Sequence, residues 1–354
     1  MTRMRQVVEL ERFGGPEVMR WVSRPIPDPG PDDVVVEIEA LGVNFGDTMV
    51  RRGEYRRDQP LDFTPGFEAA GRVLDAPPGG PAIGQRVAVF TDNGRGYADV
   101  LVVPRTRVFP VPEEIPATLV AGIFIQGTTA WYSLHRFGCV RPGETVLVHA
   151  GAGGVGSLAI QLAVAAGART IATASTPVKL ELARGHGAEV TLLADPKTLA
   201  GQIREATDGR GADVVVDGVG GELFAPSMRA LAFHGRYVVA GAASQQPGMF
   251  DSRGLMPRNQ SICGFVTARI IERDPAEPQR ALDAVLAAHA RGELRPMINV
   301  MAPAELVRAH ELLEARSHTG KIVLDMARAD PGSGSAAMSG PPQDVAAASS
   351  TGAS

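Results

Sequence analysis

One stretch near the middle of the chain limits the folds open to it. Thr145-Val146-Leu147-Val148 is a β-branched apolar run, and Gly151-Ala152-Gly153-Gly154-Val155-Gly156 is a turn spaced G-x-G-x-x-G. Ser157 to Ala166 then forms an Ala/Leu-rich segment that Gly167 can cap. The pattern predicts strand, phosphate-binding turn and helix in succession. In that reading Gly151 permits the tight turn, Gly153 lets backbone approach a pyrophosphate, and Gly156 lets the helix pack on its strand. The unpaired N–H groups of the first helical turn, at the positive end of the helix dipole, would face the diphosphate. A bare glycine motif is weak evidence, but here both flanking elements are present and further β/α units follow.

After the turn, apolar strand-like runs alternate with helical segments. Strands are expected at Thr170–Thr173, Val190–Leu193, Asp213–Asp217, Tyr237–Ala240 and Ser261–Phe265. Helices are expected at Pro177–His186, Leu199–Thr207 and Leu223–Phe233. Alternation of this kind builds a parallel sheet covered on both faces. From Val7 to about Val111 the pattern differs: short strands separated by Pro and Gly suggest a mostly antiparallel β domain. Gly42 to Gly53 breaks that pattern as a loop entering a short helix, the kind of segment that carries sites. Helical spacing from Pro116 to Phe137 marks a bridge between the two regions. Beyond the parallel region, helices at Pro278–Arg291 and Pro303–Ala315 flank Met297–Val300, and Lys321–Leu324 is a last strand. From about residue 328 the composition turns to Ala, Ser, Gly and Pro, which cannot bury enough surface to offset chain entropy, so the tail 328–354 is expected to be disordered.

The 354 residues suffice for two domains, and a net charge of −4 argues against nucleic acid as a main partner. The one dense basic cluster, Arg51 to Arg57, reads as a solvated surface. No apolar run approaches the length of a membrane span, and the N-terminus lacks a signal-peptide core. Two cysteines far apart in sequence, Cys139 and Cys263, suggest a reduced, cytoplasmic setting without structural zinc.

The end of the second strand bears on which dinucleotide is held. NAD-binding units carry an acid there for the ribose 2′-hydroxyl. This chain has Thr173-Ala174-Ser175-Thr176, with the cation Lys179 following and no acid before Glu181. Two hydroxyls and an ammonium suit a 2′-phosphate, so NADPH is favoured over NADH. Ser175 or Thr176 also suits the N-cap of the helix beginning at Pro177. The same missing acid disfavours a methyltransferase.

Several segments together resemble the medium-chain dehydrogenase/reductase superfamily, in its zinc-independent quinone oxidoreductase-like branch. They are Gly42–Asp47, Pro65–Gly71, Pro142–His149, the glycine turn, Asp217–Gly221 and Gly320–Leu324, in family order across residues 5–326. The resemblance implies an α/β protein made of a Rossmann-type parallel-sheet domain at 123–267 and a GroES-like, mostly antiparallel β domain at 1–122 and 268–327. The active site would lie in the cleft between them, and the chain would pair as a homodimer. It further implies Asn44 near the nicotinamide ribose, Thr129 near the nicotinamide, Gly151, Gly153, Gly154 and Val155 at the pyrophosphate, and Ser175 with Lys179 at the 2′-phosphate. Gly241, Phe265 and Arg316 would line the rest of the path. One departure is that Leu192-Leu193-Ala194-Asp195 lacks the tyrosine that quinone reductases often place after the third strand.

Zinc-dependent relatives carry Cys and His where this chain has Asn44 and Phe67, neither of which supplies a thiolate or imidazole, so no metal site is expected. What remains is hydride transfer from NADPH to a quinone or an α,β-unsaturated carbonyl, a small hydrophobic acceptor. Tyr55 is the candidate donor toward the oxygen that gains charge. Asp47 is expected to cap a helix, and His135 and His149 to pack. Two other readings stand beside this one: an enoyl-thioester reductase similar to polyketide synthase domains, and a non-catalytic NADPH-binding member.

Overall fold

Proline and glycine divide the first part of the chain into short strands, with β-branched residues supplying their cores. The computed structural model describes residues 3–56, 58–91 and 94–328. Arg57 and residues 329–354, which include almost all of the tail expected to be disordered, lie outside that range. The first region holds β1 (Met4–Leu10), β2 (Met19–Pro25), β3 (Asp33–Val43), α1 (Phe45–Arg52), β4 (Glu68–Asp75), β5 (Arg86–Phe90), β6 (Val100–Pro104) and β7 (Val108–Pro110). Strands β3, β4, β5 and β7 pair antiparallel in that order, and β6 lies against β3.

The period then changes from strand to helix. In α2 (Ala117–Trp131), Val120, Ala121, Ile123, Phe124 and Thr128 are all buried, because the helix is enclosed by both domains. Phe124 tilts against Phe109 of β7 at 5.2 Å between ring centroids. The helix widens into a π turn at Tyr132–Phe137.

The second region runs β8 (Thr145–Val148), α3 (Gly154–Ala165), β9 (Arg169–Ala174), α4 (Pro177–Gly185), β10 (Val190–Leu193), α5 (Leu199–Ala206), β11 (Ala212–Asp217), α6 (Phe224–Arg229), β12 (Leu231–Val239) and β13 (Ser261–Gly264). These strands form one parallel sheet in the order β10-β9-β8-β11-β12-β13. The direction of winding reverses between β8 and β11, the point outside whose carboxyl ends doubly wound sheets hold ligands. Gly167 ends α3 with φ +74°, as a left-handed helix cap requires.

The chain continues through α7 (Thr267–Arg273), α8 (Glu277–Ala290), β14 (Ile298–Met301), α9 (Leu306–Glu314) and β15 (Lys321–Asp325). Strand β15 returns to the first sheet, antiparallel to β3 with Ile322 opposite Val43, and β14 extends that sheet in parallel.

Two expectations are corrected. The helix expected at Leu223–Phe233 stops at Arg229, and Leu231 already pairs with Ala212 as strand. Leu231 and Ala232 are buried beside exposed Phe233, and the left-handed His234 (φ 58°) with Gly235 absorbs the register shift before Arg236. The second correction concerns the basic cluster read as solvated. Arg51 is fully buried and pairs with Glu314 of α9, which also pairs with Arg52.

That contact is part of what seats α1. The Asp47 carboxylate accepts from the Asn44 N–H at 2.7 Å, the Gly66 N–H at 2.8 Å and the Tyr97 hydroxyl at 3.0 Å, so the expected cap also ties down a neighbouring loop. His310 Nε2 lies 3.3 Å from the same hydroxyl. Burial raises Asp47 to about 6, against the pull of its donors. Burial, with Arg51 and Arg52 nearby, lowers His310 to about 3. The two shifts act on stability in opposite directions. The unfolded chain protonates His310 from pH 6.5 downward while the folded chain does not, so this contribution is lost as the pH falls toward 3. Asp47 takes up its proton more readily when folded, which favours the fold as the pH falls from about 6 to 4. His310→Gln removes the first effect alone. Between pH 7 and pH 5 the wild type should therefore lose about 2 kcal/mol relative to this variant in urea unfolding, and parallel pH profiles would contradict the assignment.

Candidate functional site

The glycine turn leaves β8 at the reversal point and enters α3. Its glycines serve different ends. A side-chain carbon at Gly151 would meet Ala172 Cβ at 2.9 Å and Ala183 Cβ at 3.1 Å, and one at Gly156 would collide with the Ala150 carbonyl. Both are packing requirements of β9, α4 and the turn itself. At Gly153 the same carbon would meet only Ala150, at 3.2 Å or more, and at Gly218 nothing within 4 Å. Gly218 therefore faces open space, while Gly153 is restricted only by its own turn, which fits a cradle for phosphates bound by backbone. Val155 follows half-buried in the first turn of α3. The turn is tied to the other domain, since the Gly320 N–H donates to the Ala152 carbonyl at 3.0 Å.

At the end of β9, Ser175 is exposed, and Thr176 caps α4 by accepting the Lys179 N–H at 3.3 Å. Lys179 Nζ donates to the Arg316 carbonyl at 2.6 Å, and burial together with Arg316 lowers its ammonium. The Arg316 charge is thus within electrostatic reach of Lys179 beyond the second strand, where dinucleotide folds place the ribose. The Arg316 guanidinium donates to the Ala243 carbonyl at 3.3 Å, in the loop following Gly241. That loop is held on the Asp217–Gly221 turn by Ala243 N–H to Gly218 O and Ser244 N–H to Val219 O, at 3.0 and 2.9 Å. Asp217 organises the turn, accepting from the N–H groups of Val219 and Gly220 and, at 2.6 Å, from the Tyr237 hydroxyl. Strand register sets Gly264 opposite Val239, so Gly241 and Phe265 emerge at the same end of the sheet. The Phe265 ring is stacked on Phe137, with centroids 4.8 Å apart.

The first domain contributes Asn44, at the join of β3 and α1. Its amide nitrogen donates to Glu68 Oε1 at 2.9 Å, and its oxygen accepts from Lys321 Nζ at 2.7 Å. Glu68 and Lys321 are themselves a buried ion pair, and the other Glu68 oxygen accepts the Ile125 N–H of α2 at 2.8 Å. Thr129 lies buried one helical turn beyond Ile125. Neither Glu68 nor Lys321 was assigned from sequence. The signal available was a charged residue opening each of two strands just ahead of small or apolar residues, Glu68-Ala69-Ala70 and Lys321-Ile322-Val323-Leu324.

Phe67 packs under Tyr55, with ring centroids 4.9 Å apart. Tyr55 is 41% exposed, and partial burial with nearby Asp47 raises its phenol, which stays protonated and able to donate at neutral pH. Beside it a cleft of about 500 Å³ separates Met49 and Glu54 from Ala242, Gln245, Gln246 and Pro247, and the Gln245 amide reaches Glu54 at 3.4 Å. A catalytic zinc does not fit here. The Asn44 amide is committed to Glu68 and Lys321, Phe67 offers only carbon, and no cluster of three His, Cys, Asp or Glu suits a metal among the described residues. His149 is buried between the Thr173 and Ser227 hydroxyls at 2.9 and 2.8 Å, a packing role, and burial lowers its imidazole. His135 lies against Trp131.

The family model for the alcohol dehydrogenase GroES-like domain matches residues 30–113, and that for zinc-binding dehydrogenase matches residues 154–287. A quinone oxidoreductase from Pseudomonas aeruginosa is 34% identical, over 91% of this chain and 99% of that protein. A mycobacterial protein solved in complex with NADPH is 35% identical with a TM-score of 0.83, covering 90% of this chain and 99% of that one. A segment of the phthioceranic/hydroxyphthioceranic acid synthase of Mycobacterium tuberculosis is 33% identical over 90% of this chain, which spans 15% of that much longer protein. The chain belongs to the medium-chain dehydrogenase/reductase superfamily, in its quinone oxidoreductase-like branch.

Proposed function

We propose that the protein is an NADPH-dependent oxidoreductase that passes hydride to a quinone or α,β-unsaturated carbonyl without a catalytic metal. The observation that carries this reading is that Lys179, four residues after Ser175, is held on the Arg316 backbone within electrostatic reach of the Arg316 charge, where a carboxylate for a free ribose hydroxyl would otherwise stand. A 2′-phosphate would meet two cations there. The solved mycobacterial relative holding NADPH supports the same choice.

A bound nicotinamide supplies the hydride. The chain's own residues orient and shield it. Gly153, Gly154 and Val155 offer backbone to the diphosphate, while Asn44 and Thr129 stand at the nicotinamide end. Positioning of donor and acceptor within reach supplies much of the acceleration. Phe67 and Phe63 form an apolar wall against Tyr55, which suits a small hydrophobic acceptor. The Tyr55 O–H donates toward the oxygen that gains charge.

Two unpaired cysteines fit the reducing cytoplasm, and no described helix is long and apolar enough to cross a membrane. A homodimer through the parallel sheet is supported by β13, an edge strand with Ile262 and neighbouring Val266 exposed. A second reading, reduction of an enoyl-thioester, is favoured by the similar synthase segment.

The deciding experiment is NADPH oxidation measured against a panel of quinones, enones and enoyl-thioesters. Turnover restricted to thioesters would replace the first reading with the second, and binding without any turnover would leave a non-catalytic member. Lys179→Ala and Arg316→Ala should each weaken NADPH binding about tenfold to a hundredfold, as the loss of a charged hydrogen bond does, while NADH titrates unchanged. Equal losses for both dinucleotides would remove the phosphate assignment. For Tyr55→Phe, kcat should fall about a hundredfold with little change in KM for NADPH, and an unaltered kcat would take Tyr55 out of the mechanism.

A further inference from the structure

The two cysteines of this chain lie far apart in sequence, yet the fold brings them to one place. In β13, Ser261 pairs with Arg236 of β12 and Cys263 with Val238. Side chains alternate along a strand, so Arg236, Ser261 and Cys263 share one face of the parallel sheet. Cys139 lies against that face, just after the π turn. The Arg236 guanidinium donates to the carbonyls of Gly138 at 2.9 Å and Cys139 at 3.1 Å, and both Glu144 oxygens hold it there, at 2.9 and 2.6 Å. The stacked rings of Phe137 and Phe265, each two residues from one of the cysteines, join the same two segments again. Two contacts thus bracket the pair of thiols.

Cys139 also occupies a backbone position that favours glycine. Its φ is +45°, in the left-handed region, and the next residue closes the helix end by donating the Val140 N–H to the Leu134 carbonyl at 2.9 Å. A cysteine there adds strain that glycine would avoid, and it is exposed to solvent. Cys263 is half-buried. Burial pushes its thiol up, and the nearby Cys139 sulfur adds to the effect. Each sulfur has only a long, weak contact with a backbone carbonyl, Cys139 with Arg136 at 3.7 Å and Cys263 with Tyr237 at 3.8 Å, so neither is committed elsewhere. An oxidant in solution reaches Cys139 first, with Cys263 behind it.

We propose that Cys139 and Cys263 form a redox-active dithiol, which peroxides oxidise to a disulfide within one chain. The Cys139 thiolate attacks a peroxide oxygen and the O–O bond breaks, leaving a sulfenic acid and, from hydrogen peroxide, one water. The Cys263 sulfur then displaces the sulfenic oxygen, which forms the S–S bond and releases a second water. Two electrons pass from the thiols to the peroxide, and the two thiol protons leave in the waters. The bond ties edge strand β13 to the exit from α2 and closes a loop around the strands from β8 to β12. Small thiols reverse it by exchange.

Because the chain has two cysteines, the state of each is readable by mass. The full-length protein is treated with hydrogen peroxide, remaining thiols are capped with N-ethylmaleimide under denaturing conditions, and the intact mass and tryptic peptides are measured. The expected product is a single uncapped chain lighter by two hydrogen atoms, with peptides joined through Cys139 and Cys263, and dithiothreitol restores the reduced form. Cys263→Ser should accumulate a dimedone-reactive sulfenic acid at Cys139 that the wild type does not retain. Cys139→Ser should leave Cys263 reduced and open to capping after the same treatment. The oxidised wild type should melt about 5 °C above the reduced protein, as a cross-link that suits native geometry does, and neither variant should show the shift. Two capped thiols after peroxide treatment overturn the proposal. So do a disulfide between two chains and an oxidised form that melts no higher than the reduced one.

Discussion

The buried exchange among Glu68, Lys321 and Asn44 ties the first sheet to the helix α2 that runs between the two domains. A carboxylate and an ammonium removed from water are costly unless each finds full partners. Here the carboxylate accepts from Lys321, from the Asn44 amide and from the Ile125 backbone, so strands β4 and β15, the start of α1 and the middle of α2 converge on one group. The residue before Lys321 extends the tie to the glycine turn through the Gly320 N–H and the Ala152 carbonyl. Two residues adjacent in sequence, Gly320 and Lys321, thus reach the glycine turn and Asn44.

The same network commits both ends of the Asn44 side chain to protein partners. Turning that amide elsewhere would give up its hydrogen bonds to the Glu68 carboxylate and the Lys321 ammonium. Phe67 has passed to an aromatic wall with Tyr55 and Phe63. Charge has been retained in the interior, but it serves to hold elements together. Lys179 and Arg316, by contrast, donate to backbone carbonyls, those of Arg316 and Ala243.

Much of the fold was legible because local pattern and tertiary structure agree over the glycine turn and the β/α units that follow it. The places where they parted have physical causes. Leu223 to Phe233 has helical composition, yet pairing of Leu231 with Ala212 in the sheet wins beyond Arg229. Arg51 carries a charge that sequence reasoning assigns to solvent, whereas Glu314, more than 260 positions away, supplies a partner that allows full burial. Asp47 was readable as a cap because its partner is three residues away. Its contacts with Gly66 and Tyr97 were not, because they join separate strands and loops.

By itself the sequence determined the short-range features: a glycine turn between strand and helix, the missing acid after the second strand, and the side chains at positions 44 and 67, which offer neither thiolate nor imidazole. These depend on spacing and side-chain chemistry, which a linear chain displays directly. Only the tertiary structure decided that Glu68 and Lys321 secure Asn44 and that Arg316 joins Lys179. Each of those pairings brings together groups from distant parts of the chain, and their free energies depend on burial and orientation that exist only after the sheets have closed around α2.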